Sequence, residues 1–330
     1  MAMCYAPENY DMRVFFLGWK ARYEQIMIDG LAEKHDVHMF HIPAYAKRIN
    51  RTLRSLQKKI PLTMSTAWLG RWVNASKSVS TKDILICNEG QVRRGLNPSV
   101  ISTFRGLKVL LIRDLVDAAF VDEMRKLFDK IYSFDPDQCR LFGIDYLEQF
   151  FPFNAEAARK LNTERLEQSP RITCFFLGRD KGRAHLIESM ANDLESLGCS
   201  IKFQIVKDES SIPLSKYHTD SVLPYEENLQ KVIDADVLIE INQPGQSGLT
   251  LRALEAAFFD KKLITTNKGV KDLYFYDPSR FYIFEEFDKE AIARFLASPP
   301  KPIDVESLKQ HCPENMLERI RELQGSSPCH

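Results

Sequence analysis

The segment Gln243-Pro-Gly-Gln-Ser-Gly-Leu-Thr-Leu-Arg-Ala-Leu-Glu255 concentrates the residues with most chemistry to offer. It lies between an apolar, strand-like run (236–242) and a helix-like run (248–259). Pro244 and Gly245 read as a turn, and Ser247 as the cap of a helix that begins at Gly248. A helix start leaves backbone N–H groups unsatisfied, here those of Gly248, Leu249 and Thr250, and with the helix dipole they attract phosphate. Helical spacing puts Arg252 and Glu255 on the face that carries Gly248. That arrangement suits a nucleotide, with its diphosphate on the N–H groups and its ribose on Glu255. A plain capped helix with an Arg252–Glu255 surface pair uses the same residues.

A second candidate is Leu177-Gly-Arg-Asp-Lys-Gly-Arg183, which follows the strand-like run 171–178. Gly178 and Gly182 read as a tight strand-to-helix turn. Arg179, Lys181 and Arg183 then supply positive charge beyond the strand, or form a solvated charged turn. It is not a GxGxxG fingerprint, and the opening FFLGWK lacks one too, which argues against a dehydrogenase.

The elements that must position these residues are read from periodicity. Continuous apolar runs at 12–19, 36–42, 83–88, 107–114 and 130–135 look like strands covered on both faces. Helix-like patterns separate them, as at 23–34, 99–104 and 117–128. The rhythm breaks over 136–170, where Pro136, Pro152, Pro170 and the aromatic group Tyr146, Phe150, Phe151 and Phe153 read as a connection between domains. It restarts at RITCFFLG (171–178), similar to the opening MRVFFLG (12–18), and continues with strands at 200–206, 236–242, 262–267 and 281–284 and helices at 184–197, 225–234, 248–259 and 288–297. This is an α/β chain of two tandem Rossmann-like domains, and the cleft between them is the default ligand site. The boundaries expected are 1–155, 156–300 and a helical tail at 301–330.

Composition narrows the class. The chain has 330 residues, 45 Lys plus Arg and 45 Asp plus Glu, hence no net charge, which argues against a chain-wide nucleic-acid binder. There is no apolar run long enough to span a membrane and no signal-peptide pattern. The seven cysteines, Cys4, Cys87, Cys139, Cys174, Cys199, Cys312 and Cys329, include no CxxC and read as reduced, cytoplasmic thiols. Histidines show no ligand spacing, and the strings Asp135-Pro-Asp137 and Asp234-Ala-Asp236 read as structural, so no cofactor and no essential metal are expected. One stretch is strongly basic: Lys47-Arg-Ile-Asn-Arg-Thr-Leu-Arg-Ser-Leu-Gln-Lys-Lys59, with Ile49, Leu53, Leu56 and Ile60 at helical spacing. It reads as a solvated helix face or as an interfacial helix drawn to anionic lipid or a phosphorylated lipid-linked glycan, extended by Trp68 and Trp72; no recognised motif accompanies it that would favour nucleic acid.

SGLTLRALEAAFFDKKLITTN (247–267), followed by YDP at 276–278, resembles the C-terminal half of GT-B-type glycosyltransferases. The bacterial branch of lipopolysaccharide, capsule and exopolysaccharide synthesis is the most similar, and YSFDPDQCRLFGIDYL (132–147) is similar to a segment that recurs before its domain crossover. The resemblance implies GT-B architecture, with an N-terminal acceptor domain and a C-terminal nucleotide-sugar donor domain. It implies sugar transfer to a cell-surface glycan or lipid-linked acceptor. It places the donor diphosphate at the SGLT turn, the ribose on Glu255, and a basic residue of 178–183 against the leaving diphosphate. The loop 208–224 and Tyr225 would help hold the donor base. An inverting transfer needs a base to take the acceptor's proton. The candidates after strands of the first half are Glu89, Asp114 and Asp117, with Glu89 preferred because Gly90 leaves room beside it; a helix cap or a loop role is the other reading of each. Gly18, at the end of the first strand, would let an acceptor approach. Many retaining members carry a second glutamate, which would fall at Ser247; it is absent here. A nucleotide-sugar 2-epimerase and a non-catalytic glycan-binding protein on the same fold are the alternatives.

Overall fold

The structure is a computed structural model that describes residues 12–57, 65–163, 165, 169–243 and 246–325. The chain divides into two compact units. Unit 1 runs to Leu147 and resumes at Leu317, and unit 2 is Glu148–Met316.

Unit 1 alternates strands and helices: β1 (Val14–Leu17), α1 (Arg22–Ala32), β2 (Val37–Met39), α2 (Ala44–Gln57), α3 (Ala67–Ser76), β3 (Ile84–Asn88), α4 (Asn97–Thr103), β4 (Leu107–Ile112), α5 (Ala118–Met124), β5 (Lys130–Ser133), α6 (Pro136–Phe142) and β6 (Asp145–Tyr146). The strands pair in the order β2-β1-β3-β4-β5-β6, all parallel. Every residue of β1 and β3 is buried, as continuous apolar strands covered on both faces should be. Arg13 enters β1 through an ion pair with the buried Asp83 at 2.7 Å, which ties it to the start of β3. Glu24, itself buried, reaches back to the Ala21 N–H at 2.8 Å and so starts α1. Asp135 caps α6 through the amides of Asp137 and Gln138, with Pro136 at the first helical position.

Unit 2 contains α7 (Ala155–Asn162), β7 (Thr173–Arg179), α8 (Ala184–Ser196), β8 (Ser200–Val206), β9 (His218–Thr219), α9 (Tyr225–Asp234), β10 (Val237–Glu240), α10 (Leu251–Phe258), β11 (Lys262–Thr265), β12 (Phe281–Ile283), α11 (Lys289–Ala297) and α12 (Val305–Leu308). Its sheet runs β12-β11-β10-β7-β8-β9, again all parallel. A last helix, α13 (Pro313–Gly325), starts in unit 2 and from Leu317 belongs with unit 1, where Arg321 Nη1 meets His35 Nδ1 at 3.1 Å.

Three sequence expectations change. Residues 136–146 are not a connection but α6 and β6, the last parallel strand of unit 1. Phe150, Phe151 and Phe153 are not connection either: Phe150 and Phe151 are buried, and Phe151 packs on Phe258 (4.6 Å) and Phe259 (5.4 Å) in the core of unit 2. The division therefore falls at 147/148 rather than 155/156, because burial of these rings draws the segment into unit 2. In the described part of the expected tail, Val305–Leu308 and Pro313–Gly325 are helical, and from Leu317 the chain belongs with unit 1. Among the described residues, no helix is long and apolar enough to cross a membrane. Cys87, Cys139, Cys174, Cys199 and Cys312 are free, buried thiols; Cys4 and Cys329 lie outside the described residues.

Candidate functional site

In unit 2 the chain crosses from one side of the sheet to the other between β7 and β10. In open α/β sheets the crevice beyond the carboxyl ends of such neighbouring strands is where ligands bind. The two loops leaving these strands hold most of the predicted donor residues.

The first loop starts later than the sequence implies. Gly178 and Arg179 are still paired in β7, opposite Ile205 and Val206. The turn is made instead by Lys181 (φ +48) and Gly182 (φ +75), a left-handed pair that glycine adopts without steric cost. Gly178 is small for another reason: a Cβ there would lie 3.1 Å from the Phe176 ring. Arg179 and Lys181 are exposed. Lys181 donates its N–H to Asp208 at 2.9 Å, and three hydrogen bonds, from Ser210 twice and from Lys181, hold the Asp208 carboxyl down at about 2. Arg183 is a strut. Its guanidinium donates to the carbonyls of Asp180 (3.1 Å), Arg179 (2.7 Å) and Ile241, so it ties the end of β7 to the residue after β10. Burial lowers its pKa, opposed by the Asp180 and Asp208 charges. Asp180 is buried beneath the turn. It accepts from His218 Nε2 at 2.8 Å, while His218 Nδ1 accepts the Ser215 N–H at 2.7 Å, which fixes the tautomer with the proton on Nε2.

The second loop corrects the helix start. Thr250, not Ser247, is the cap: its hydroxyl accepts the Arg252 N–H at 3.1 Å, and α10 begins at Leu251. Gly248, Leu249 and Thr250 therefore precede the helix, and Gly248 and Leu249 are buried. The physical reason is Glu240. The Thr250 hydroxyl donates to this buried carboxylate at the end of β10, and a Ser247 cap would forgo that bond. Asn267 Nδ2 holds the Gly248 carbonyl at 3.1 Å, and Asn242 Nδ2 holds that of Gln246 at 3.3 Å. Pro244 and Gly245 lie outside the described residues.

Arg252 and Glu255 share a face of α10, as their spacing requires, and form an ion pair at 2.6 Å. They are no surface pair: their side chains are 13% and 12% exposed. Arg252 also lies over the Phe175 ring (5.3 Å) and donates to the Leu177 carbonyl at 3.3 Å, which docks α10 onto β7. Burial raises the pKa of Glu255, opposed by Arg252 and reinforced by the Glu240 charge. Burial likewise raises that of Glu240, opposed by the Thr250 and Thr265 hydroxyls and by Arg252. Two carboxylates thus share one guanidinium. Glu240 escaped the sequence reading because it sits inside an apolar run; the signal is a charged residue closing a strand buried on both faces. Tyr225 opens α9 and is half-buried.

In unit 1 the corresponding reversal lies between β1 and β3. Glu89 follows β3 directly and is half-buried. Its Oε2 accepts the Arg113 N–H at 2.9 Å, and burial raises its pKa against the pull of Arg113. The Arg113 guanidinium lies 5.7 Å from the Trp19 ring and 5.5 Å from the Tyr23 ring. Gly90 leaves open space, since a Cβ there would meet only Asn88 Oδ1, at 4.0 Å. Asp114 is exposed and accepts the Leu115 N–H at 2.9 Å. Asp117 caps α5 through the Phe120 N–H at 2.7 Å. Gly18 does not make room for an acceptor. Its φ is +89, and a Cβ there would lie 2.5 Å from Gln91 Cβ, so the glycine serves a left-handed turn packed on Gln91. Asp236, like Asp135, is structural, accepting the Thr173 N–H at 2.8 Å and pairing with Arg165 at 3.0 Å.

No family profile matches this chain, and no curated protein matches its sequence. Solved structures do match. An alpha-glucosyltransferase in complex with UDP and a 13-mer DNA containing a central A:G mismatch superposes with a TM-score of 0.54 at 13% identity, over 94% of this chain and 99% of that one. A glycosyltransferase from Rickettsia africae ESF-5 gives 0.52 at 14% identity, over 96% and 100%. An alpha,alpha-trehalose-phosphate synthase (UDP-forming) from Burkholderia vietnamiensis gives 0.51 at 8% identity, over 95% of each. At these identities the likeness is one of fold: two tandem parallel α/β units of GT-B type.

Proposed function

We propose that this protein is a glycosyltransferase that moves a sugar from a nucleotide-sugar donor to an acceptor hydroxyl. The observation that carries the reading is the pairing of two doubly wound parallel sheets, each with a charged cluster where its strand order reverses. Unit 2 is assigned the donor. Arg183 offers a cation beside the end of β7, with Arg179 and Lys181 on the same loop, where negative charge develops on the departing diphosphate. The segment Ser247–Thr250 borders the diphosphate, Arg252 orients Glu255, Glu255 receives the ribose, and Tyr225 lies on the base side.

Unit 1 is assigned the acceptor. Glu89 takes the proton of the attacking hydroxyl as its oxygen bonds to the anomeric carbon, and the bond to the diphosphate breaks with its electron pair leaving on phosphate. The raised pKa of Glu89 brings it toward the range of an efficient base. Asp114 is the second candidate; Asp117 is the third, and its carboxylate is engaged in capping. No essential metal is assigned. The acceptor proposed is a bacterial surface glycan or its lipid-linked precursor, in the lipopolysaccharide, capsule or exopolysaccharide class, with the enzyme in the cytoplasm and in contact with the inner face of the membrane through 47–59. Lys58 and Lys59 lie outside the described residues.

The test is a thermal-shift panel of UDP, GDP, CMP, ADP and their common sugar conjugates, followed by product analysis with the hit. Binding raises the melting temperature by mass action, about 2.7 kcal/mol of stabilisation at a hundredfold excess over Kd. A selective shift with sugar transfer supports the reading. A selective shift with an epimerised donor and no transfer overturns it, as does silence across the panel with and without acceptor saccharides.

A further inference from the structure

Residues 37–82 contain nine Lys or Arg and no Asp or Glu, in a chain that carries 45 acids over its 330 residues. Residues 90–113 are again free of acids. These two stretches supply α2, α3 and α4. Gly70 brings α3 against α4, since a Cβ there would lie 2.1 Å from the Ser99 carbonyl oxygen. Tyr45 of α2 packs on Trp72 of α3 with ring centres 4.7 Å apart. The basic stretch is therefore not a lone helix but one part of a layer.

That layer leaves large apolar groups in solvent. Tyr45, Ile49 and Leu56 fall within about 40° of one another around α2. They are exposed, as are Trp68 (49%) and Trp72 (44%) of α3. Lys47, Arg48, Arg51 and Arg54 are exposed on the same helix. Exposed tryptophans beside cations are the composition of a surface that lies at a lipid–water interface. Between α3 and α4 opens a cavity of about 710 Å3 bordered by Arg71, Trp72, Ser78, Ser102, Thr103 and Arg105. Among the described residues neither Arg71 nor Arg105 has a hydrogen-bond or ion-pair partner. Ser78 is held at φ +51, a conformation few non-glycine residues adopt, by Arg13 Nη2 donating to its carbonyl at 2.7 Å. The cavity precedes β3 and β4, whereas Glu89 follows β3, so the strand, about 16 Å long, separates it from the catalytic cluster.

We propose that this cavity is a pocket for the phosphate of an anionic lipid headgroup. Arg71 and Arg105 take the phosphate, the serine and threonine hydroxyls border the polar headgroup, and Trp68, Trp72 and Tyr45 sit at acyl-boundary depth. The partner is an anionic bilayer. The inference rests on the membrane-contact part of the reading above and is independent of sugar transfer.

The chain's three tryptophans make the test direct, because Trp19 is fully buried and only Trp68 and Trp72 can meet lipid. Full-length protein is titrated with vesicles of phosphatidylcholine alone, and with vesicles of phosphatidylcholine and phosphatidylglycerol that include a dibrominated phosphatidylcholine. A blue shift and bromine quenching with the anionic vesicles only, reversed by high salt, is expected. R71Q/R105Q should weaken binding about fivefold for each arginine removed. Neither side chain has a folded partner to lose, and unchanged Trp19 emission and melting temperature verify the fold. Loss of binding in R48Q/R51Q/R54Q with none in R71Q/R105Q overturns the pocket and leaves the membrane contact standing. Absence of quenching in the parent protein overturns both. Tight capture of a short single-stranded oligonucleotide without vesicle binding overturns the lipid assignment in favour of nucleic acid.

Discussion

The Thr250 hydroxyl donates to the carboxylate of Glu240 while accepting the amide of Arg252, so one side chain both ends β10 and begins α10. The position of the helix is thereby tied to a buried acid rather than to the loop before it. Arg252 and Glu255 inherit their placement from this joint, as the second and fifth residues of α10.

Replacing Thr250 should cost both bonds. T250V is expected to destabilise the protein by about 1–3 kcal/mol, since it removes a helix cap and leaves Glu240 one donor short. T250S should restore most of the loss. Thermal melts of the two variants decide; equal melting temperatures for T250V and the parent would place the cap elsewhere.

The Glu240 carboxyl sets a pH dependence with a definite sign. Its folded pKa lies above the ordinary carboxyl value of 4.5, so the folded chain keeps this proton longer than the unfolded one. Stability from this group is complete below 4.5 and falls as pH rises through the raised value. E240Q, which cannot ionise, should gain on the parent over that window. Asp83 and Asp180 act oppositely: their folded pKa values are lowered, and their contribution is lost as the solution becomes acidic. The measurement is the melting-temperature difference between E240Q and the parent across the acid-to-neutral range. A flat difference would show that the carboxyl titrates alike in the folded and unfolded chain, and so would overturn the raised value.

Glu255→Ala should weaken nucleotide binding by about 10–100-fold, the worth of a hydrogen bond to a charged group. Titration calorimetry with the nucleotide found by thermal shift reads it out. Unchanged affinity in a folded variant would remove the ribose role and leave Glu255 as the partner of Arg252 alone.

Glu89→Gln should lower kcat by about 10²–10⁴ with little change in melting temperature, because the amide can still accept the Arg113 N–H but cannot take a proton. The acid limb of the parent's rate profile should lie above the ordinary carboxyl range, in keeping with the raised pKa of Glu89. Full activity in E89Q would move the role to Asp114.

Much of the fold is legible in the sequence because its strands are buried on both faces and so appear as uninterrupted apolar runs, as at 84–87 and 237–239. Two-residue strands such as Asp145–Tyr146 and His218–Thr219 carry no such signal. The aromatic group around Phe151 reads as a connection because proline punctuates it, while its burial depends on Phe258 and Phe259, about a hundred positions later. The start of α10 is ambiguous for a similar reason. Ser247 and Thr250 are equally good caps in isolation, and the choice is made by Glu240, which no local rule can see. Spacing alone correctly pairs Arg252 with Glu255 but makes them a surface pair; only the packing of α10 on Phe175 and Leu177 buries them.

The return of α13 to unit 1 has a consequence for how the protein is made. The sheet of unit 1 leaves the ribosome first, yet the helix segment that completes the unit is translated only after all of unit 2. Unit 2 is contiguous, so every residue it needs is made before the helix segment that completes unit 1, and the buried Leu317 and Ile320 are the residues a nascent unit 1 waits for.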